Sequence, residues 1–301
     1  MSLSLLSFLP SVDRGLRNMR AVCDYSTCHN TQLMRSIPGG RLGVQVGSLW
    51  YCSVDCFALA SHIKLASLCN RRPEIARNPR LSLGLALHSK GYLTAEQLRE
   101  VTAQSHLDED EIAAQLIQLG VVTERQIAAA RSAQWGYPVF APERIGQIVE
   151  TNLPPALLKE RNAAPLHYSA TAKRIVLGFV SRVEHSLLEA VELATGCRVE
   201  PCFITQSDFN RQIERLALSP DYAETVVDDP AQPEKMARTV GRVAVDVGAR
   251  EANFAQCRGI IWVRVTGKRG KADVIFRINK SGSDFGSRKS SVFEESAAAF
   301  N

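Results

Sequence analysis

The chain has 301 residues, a formal net charge of +5, and 45% apolar and 22% charged residues. That length supports two or three domains, and the balance is that of ordinary globular protein, which sets aside collagen-like, low-complexity and wholly disordered chains. The mild positive charge permits an anionic partner without demanding one, and no apolar run approaches the roughly 18 residues of a membrane span.

Met1–Pro10 is apolar but short, with no basic start and no clear cleavage site. Residues 1–20 are therefore expected as a flexible or docking segment rather than a signal peptide. Eight cysteines follow, four of them in two close pairs, Cys23-x4-Cys28 and Cys52-x3-Cys56. Thiolates are soft ligands, and four of them suit the tetrahedral coordination of a structural zinc. The pairing favours a metal site in a reducing compartment over disulfides, and hence a cytoplasmic protein. Between the pairs, Pro38-Gly39-Gly40 reads as a turn, and Gly43–Gly47 with Leu49-Trp50-Tyr51 as a small hairpin. The stretch after Cys56 reads as a helix, whose N-terminal dipole favours a thiolate at Cys56. A hairpin and a helix, each carrying ligands, resembles a treble-clef zinc finger over residues 21–68. His29 is an alternative ligand, and metal-free cysteines are the alternative to the site. Cys69, Cys197, Cys202 and Cys257 are isolated and read as small core residues. Residues 69–79, polar and broken by Pro73 and Pro79, read as a linker; its arginines are of a kind that also contacts phosphates.

From Leu83 one short unit is written twice. Leu83, Leu87, Gly91, Leu93, Thr94, Gln97 and Leu98 recur 29 positions later as Ile112, Leu116, Gly120, Val122, Thr123, Gln126 and Ile127. Each copy reads as a helix, a glycine stop and a second helix. Gly91 and Gly120 suit the left-handed position after a helix end, and Thr94 and Thr123 are N-caps. Gln97 and Gln126 complete capping boxes, and Leu93/Leu98 and Val122/Ile127 are spaced as hydrophobic staples.

This unit, L-G-x-x-L-x-x-x-G-x-L-T-x-x-Q-L, resembles the N-terminal domain of type II secretion and type IV pilus assembly ATPases, the GspE N-terminal or MshEN domain. The resemblance spans about residues 80–218 and includes Trp135–Phe140, Leu153–Leu158 and Ala194–Pro201. It implies a secretion or pilus machinery protein as partner. It also implies a cyclic di-GMP site formed by Leu83, Gly84, Leu87, Gly91, Leu98, Ile112, Leu116, Gly120, Ile127 and Gln134. In the family each motif opens with Arg-Leu-Gly and closes with a glutamine. Here the openings are Ser82-Leu83-Gly84 and Glu111-Ile112-Ala113. Only the second motif keeps its closing glutamine, Gln134; the first has Ser105, with Gln104 one position early. Arg80 and Arg131 lie nearby, off the motif positions. The resemblance with both arginines gone implies weak or absent cyclic di-GMP binding.

Beyond the repeats, Leu166–Ser169, Arg174–Val180 and Arg198–Thr205 have strand composition, while Val183–Ala194 and Gln206–Leu216 have helical spacing. A short helix is entered through Pro154-Pro155. Helices alternating with strands make a small sheet covered by helices. Residues 219–233 read as an acidic linker. A helix over Lys235–Gly248 and a hairpin of Arg258–Gly267 with Ala272–Ile278 form a short αββ module over 234–279, which loosely resembles the second N-terminal subdomain of secretion ATPases. The Ser-, Gly- and Ala-rich tail, 280–301, reads as disordered.

The expected fold class is thus α+β: an N-terminal zinc finger, a helical tandem-repeat subdomain followed by a small α/β sandwich, and a short C-terminal αββ module. Gly-x-x-x-x-Gly-Lys-[Ser/Thr] occurs nowhere, and Gly267–Gly270 and Gly282–Lys289 lack its spacing. Gly-x-Ser-x-Gly and His-Glu-x-x-His are likewise absent, so no enzyme is expected. A non-catalytic interaction or regulatory protein is favoured over a cyclic di-GMP sensor and over a zinc-dependent nucleic-acid binder, which would need a basic face. Purified protein is expected to release no phosphate from ATP or GTP above a buffer blank; turnover that persists through rigorous purification would overturn this reading of the C-terminal third.

Overall fold

The computed structural model describes residues 20–33, 43–71, 81–103, 108–140, 153–217, 223–228 and 232–278. Residues 1–19, the turn at Pro38–Gly40, most of the basic linker with Arg80, Gln104, Ser105 and the tail lie outside the described residues.

The chain opens with two short strands, β1 (Arg20–Val22) and β2 (Thr31–Leu33), paired antiparallel. A second hairpin, β3 (Val44–Val46) and β4 (Leu49–Tyr51), leads into helix α1 (Val54–Asn70), capped by the Ser53 side chain. Four helices follow: α2 (Leu83–Ser89), α3 (Ala95–Ala103), α4 (Glu109–Gln118) and α5 (Glu124–Trp135). They are the two expected hairpins. Gly91 and Gly120 take φ of +73° and +68°. Thr94 and Gln97 exchange cap hydrogen bonds at 2.9 and 3.2 Å, as do Thr123 and Gln126 at 2.8 and 3.3 Å. Leu83, Leu87, Leu93, Leu116, Val122 and Ile127 form the core between them.

Next come α6 (Pro155–Glu160), β5 (Ala163–Ser169), β6 (Arg174–Phe179), α7 (His185–Thr195), β7 (Arg198–Phe203) and α8 (Gln206–Ala217). Strand β6 lies between antiparallel β5 and parallel β7, with α7 as the crossover. The remainder is β8 (Ala223–Asp228), α9 (Pro233–Val247), β9 (Ala249–Cys257), β10 (Ile260–Gly267) and β11 (Gly270–Arg277).

These last strands correct the expected modules. The β3–β4 hairpin of the cysteine-rich region and the C-terminal strands share one six-stranded sheet, ordered β4-β3-β9-β10-β11-β8. The cause lies in β10. Its run Ile260-Ile-Trp-Val-Arg-Val265 is buried at every position, which requires a layer on each face of the sheet. One face packs Ile261, Val263 and Val265 against α1 and α9, through Phe57, Leu65, Met236 and Val240. The other packs Ile260 and Trp262 against α7 and the small sheet, through Leu187, Val191 and Phe179. A lone αββ unit has one helix and cannot supply both layers. The stretch 223–228, expected as linker, is strand β8, parallel to β11; residues 249–257, left unassigned from sequence, are β9, antiparallel to β10.

A charge sits inside this sheet. Arg264 and Asp273 are cross-strand partners with 5% and 1% exposure. The guanidinium donates from Nε and Nη2 to the two carboxylate oxygens at 2.9 and 2.8 Å, Trp262 Nε1 donates to Asp273 Oδ1 at 2.6 Å, and Arg264 stacks 4.9 Å from the Trp262 ring. Burial draws the guanidinium down to about 10, still charged at neutral pH, and pushes the Asp273 carboxyl upward. Removing one partner of such a pair strands a buried charge and costs about 3–5 kcal/mol. Arg264→Met is therefore expected to lower unfolding free energy by about that amount. Arg264→Met with Asp273→Asn, which keeps an acceptor for Trp262, should recover most of it. Urea titrations of the two variants check this; equal losses would mean the ion pair is not the source.

Candidate functional site

The cysteine cluster is assembled by three turns. Cys23 ends β1 and donates its N–H to Asn30 O at 2.8 Å, closing the loop that carries Cys28. Asp24 locks that loop to β4: its N–H reaches Trp50 O at 2.9 Å, and its carboxylate accepts the Trp50 N–H at 2.6 Å. Cys52 leaves β4, and its N–H points at Cys23 Sγ, 3.4 Å away. Cys56 sits in the first turn of α1, its N–H capped by Ser53 Oγ at 3.2 Å. The four Sγ atoms lie within 4.8 Å of one another, with Cys28–Cys52 at 3.5 Å and Cys52–Cys56 at 3.7 Å. His29 is not in that group. All eight cysteines are free thiols; Cys197, Cys202 and Cys257 are buried, and Cys69 lies against Met236 at 3.9 Å.

Four sulfurs about 2.3 Å from a common tetrahedral centre are about 3.8 Å apart, so the spacing found here suits a metal tetrathiolate. The thiols are not equally easy to ionise. Partial burial, ahead of the neighbouring thiols, pushes Cys56 up to about 12 and also raises Cys52. Cys28 is lowered, chiefly by the Asn30 N–H. A divalent ion supplies the positive charge that would offset the upward shift at Cys52 and Cys56.

The hairpin residues named from sequence form a different kind of place. Leu83, Leu87, Leu116 and Ile127 are buried and pack in one cluster with the half-buried Ile112, while Leu98 is half-buried. Gly84 faces inward: a Cβ there would lie 3.1 Å from Leu98 Cδ1 and 3.3 Å from Val101 Cγ1. Its smallness serves the contact of α2 with α3. The two positions where the related motifs open on arginine take part in helix capping. Ser82 caps α2, and Glu111 accepts the Asp108 N–H at 2.9 Å in a capping box. Gln134 ties the hairpins together, donating to Leu81 O at 2.8 Å and to Glu109, whose carboxylate also accepts the Leu83 N–H at 2.8 Å. Arg131 is 3% exposed and spends its guanidinium on Val180 O and Asp110. Sequence reasoning missed this inward use of Arg131; the small neighbours Ala128 and Ala130 were the available signal. Beside it a cleft of about 380 Å³ opens between α4, α5 and the small sheet, walled by Ala113, Ile117, Ile127 and Ile204.

The cysteine geometry predicts close to one divalent metal ion per purified chain, lost in the Cys52→Ser/Cys56→Ser variant. Elemental analysis measures it, and cobalt substitution should give the absorption of a tetrathiolate site. A metal-free protein with an intact fold would sink the assignment.

No protein-family profile matches the chain. It is 31% identical over 153 residues to the type IV pilus assembly ATPase PilB of Thermus thermophilus, an alignment covering 50% of this chain and 17% of that protein. Two crystal forms of the N-terminal domain of XpsE align at 22% and 24% identity. They cover 47% and 43% of this chain and 98% and 90% of theirs, with TM-scores of 0.36 and 0.29. The chain spans about a sixth of the length of its PilB relative. About half of it resembles the N-terminal domain of type II secretion and type IV pilus assembly ATPases.

Proposed function

We propose that this chain is a non-catalytic interaction or regulatory protein of a secretion or pilus system. In this reading the tandem hairpins serve as architecture and not as a cyclic di-GMP sensor. The observation that carries it is the reuse of the motif positions. Where the related domain places ligand-binding arginines, Ser82 and Glu111 satisfy helix N-termini. The closing Gln134 is bonded to Leu81 and Glu109. Asp108, Glu109, Asp110 and Glu111 crowd the start of α4, and like charge opposes a dianionic dinucleotide there. The phosphate loop of a motor ATPase does not occur in the sequence.

The four thiols are assigned a structural zinc, held by Cys23, Cys28, Cys52 and Cys56. Bound there, zinc supplies a cross-link between the β1–β2 loop and the start of α1. Hydrolytic chemistry is not assigned to it, since four protein thiolates complete a tetrahedral shell and leave no position for water.

Calorimetric titration is expected to find no sub-micromolar cyclic di-GMP binding. Losing two stacked or bidentate arginine contacts costs roughly 10²- to 10⁴-fold in affinity, and Ser82→Arg with Glu111→Arg should regain part of it. Ser82→Arg also removes an N-cap worth about 1 kcal/mol and Glu111→Arg the capping-box partner of Asp108, so the double variant should unfold earlier. Gly84→Leu is not a clean ligand test, because its side chain would displace Leu98 and Val101. Sub-micromolar binding by the native chain that is lost on Gln134→Ala would restore the sensor. For the partner, affinity capture from the native host should return a secretion or pilus component; capture of nucleic acid alone, lost at high salt, would favour the nucleic-acid reading.

A further inference from the structure

Helix α1 is apolar nearly all round. Phe57, Leu65 and Leu68 are buried against α9 and the sheet, yet Leu59 and Ile63 on the other side are 54% and 63% exposed. A helix of that character is normally covered on both sides. The contrast is α9, whose exposed positions are Glu234, Lys235, Arg238, Arg242 and Asp246, with Val245 the single apolar one among them. Ile63 opens onto a groove of about 520 Å³ that runs from α1 past β4 and β9 to α7. Leu49, Tyr51, Phe254 and the exposed Leu193 line it, with Lys64 as its one charged wall. Strand β9 borders the groove, and its register with β3 is the single pair Gln45↔Glu251. Beyond that pair the β9 edge carries no second strand among the described residues. A concave apolar patch beside an open strand edge has the features of a docking site.

The chemistry and the reach of the chain name an occupant. Residues 3–9 read Leu-Ser-Leu-Leu-Ser-Phe-Leu, five large apolar side chains with no charge. They precede Arg20 of β1, and the next loop holds β4, a wall of the groove, through Asp24 and Trp50. Ten residues, Pro10–Met19, separate the segment from β1, a leash of up to about 35 Å when extended. A tether that short gives an effective concentration on the order of millimolar, ahead of any partner in dilute solution. The absence of charge in the segment avoids burying an unpaired ion.

We propose that residues 3–9 of this same chain occupy the groove between α1, the β9 edge and α7.

Hydroxyl-radical footprinting of the full chain tests it, because labelling follows side-chain exposure. Leu49, Ile63 and Leu193 should label far less than Leu119, which is 67% exposed and lies on the distant helical hairpins. In the Leu5→Asp/Leu6→Asp variant, whose substitutions lie outside the described core, the three should rise to the Leu119 level. A peptide of residues 1–12 added in trans should lower them again. From the other side, Ile63→Asp should speed amide exchange of residues 3–9 by about tenfold or more. Labelling of the three residues at the Leu119 level in the native chain overturns the proposal. So does protection that survives the aspartates and rises with protein concentration, which assigns the groove to a second copy.

Discussion

The double burial of β10 is the constraint on which the rest of the structure depends. A strand with Ile, Trp and Val on both faces cannot end a domain; it needs a layer above and a layer below. The chain meets that demand from three separate stretches. The helix that follows the cysteines covers one face together with α9, and the pilus-ATPase-like region covers the other through α7. The cysteine cluster is therefore an abutment of the central sheet. Holding Cys23 and Cys28 to Cys52 and Cys56 fixes where α1 starts, and α1 carries Phe57 and Leu65 into the same core as Met236 and Val240. A metal held by the four thiols, as proposed, would couple its binding to folding of the C-terminal strands through that contact.

The same demand explains the buried Arg264–Asp273 pair. Both residues point to the face shared with α7, where a lone charge would be costly, and they satisfy each other and Trp262 within one cross-strand register. A buried pair is weak as a source of stability, but one that works only when Arg264 faces Asp273 penalises any slip of β10 against β11. With apolar residues at every other buried position of both strands, that penalty is a large part of what distinguishes one register from the next.

What the sequence made legible was local. Caps, capping boxes and glycine stops act within four residues, so Thr94/Gln97, Thr123/Gln126, Gly91 and Gly120 could be read directly and occupy the expected geometry. The cysteine pairs were legible for the same reason, each spacing fixing one turn. Strands β8 and β9 were not. Ala223–Asp228 has only the three-residue β-branched run Thr225-Val226-Val227, set between acids and next to prolines, and Ala249–Cys257 alternates polar residues with alanine and holds no β-branched residue at all. They are strands because β10 and β11 offer edges to pair with, a nonlocal cause that no window on the sequence contains.

Function was the least legible level, because one residue serves ligand or architecture depending on where its side chain points. Gly84 reads equally as room for a ligand and as room for a helix, and Leu98 and Val101 take that room here. Arg131 reads as a candidate replacement for a missing ligand arginine, yet it is turned inward to the Val180 carbonyl and Asp110, joining the second hairpin to the small sheet. Burial draws its pKa down and Asp110 draws it back up, the balance of a structural cation. The acids at the start of α4 follow from the same change. With Glu109 holding the Leu83 N–H and Gln134, and Glu111 accepting from the Asp108 N–H, negative charge at the start of α4 stabilises the paired hairpins. In the proposed reading, the groups that would repel a dinucleotide are the ones that hold the repeat together, so building such a site here would have to replace caps as well as contacts.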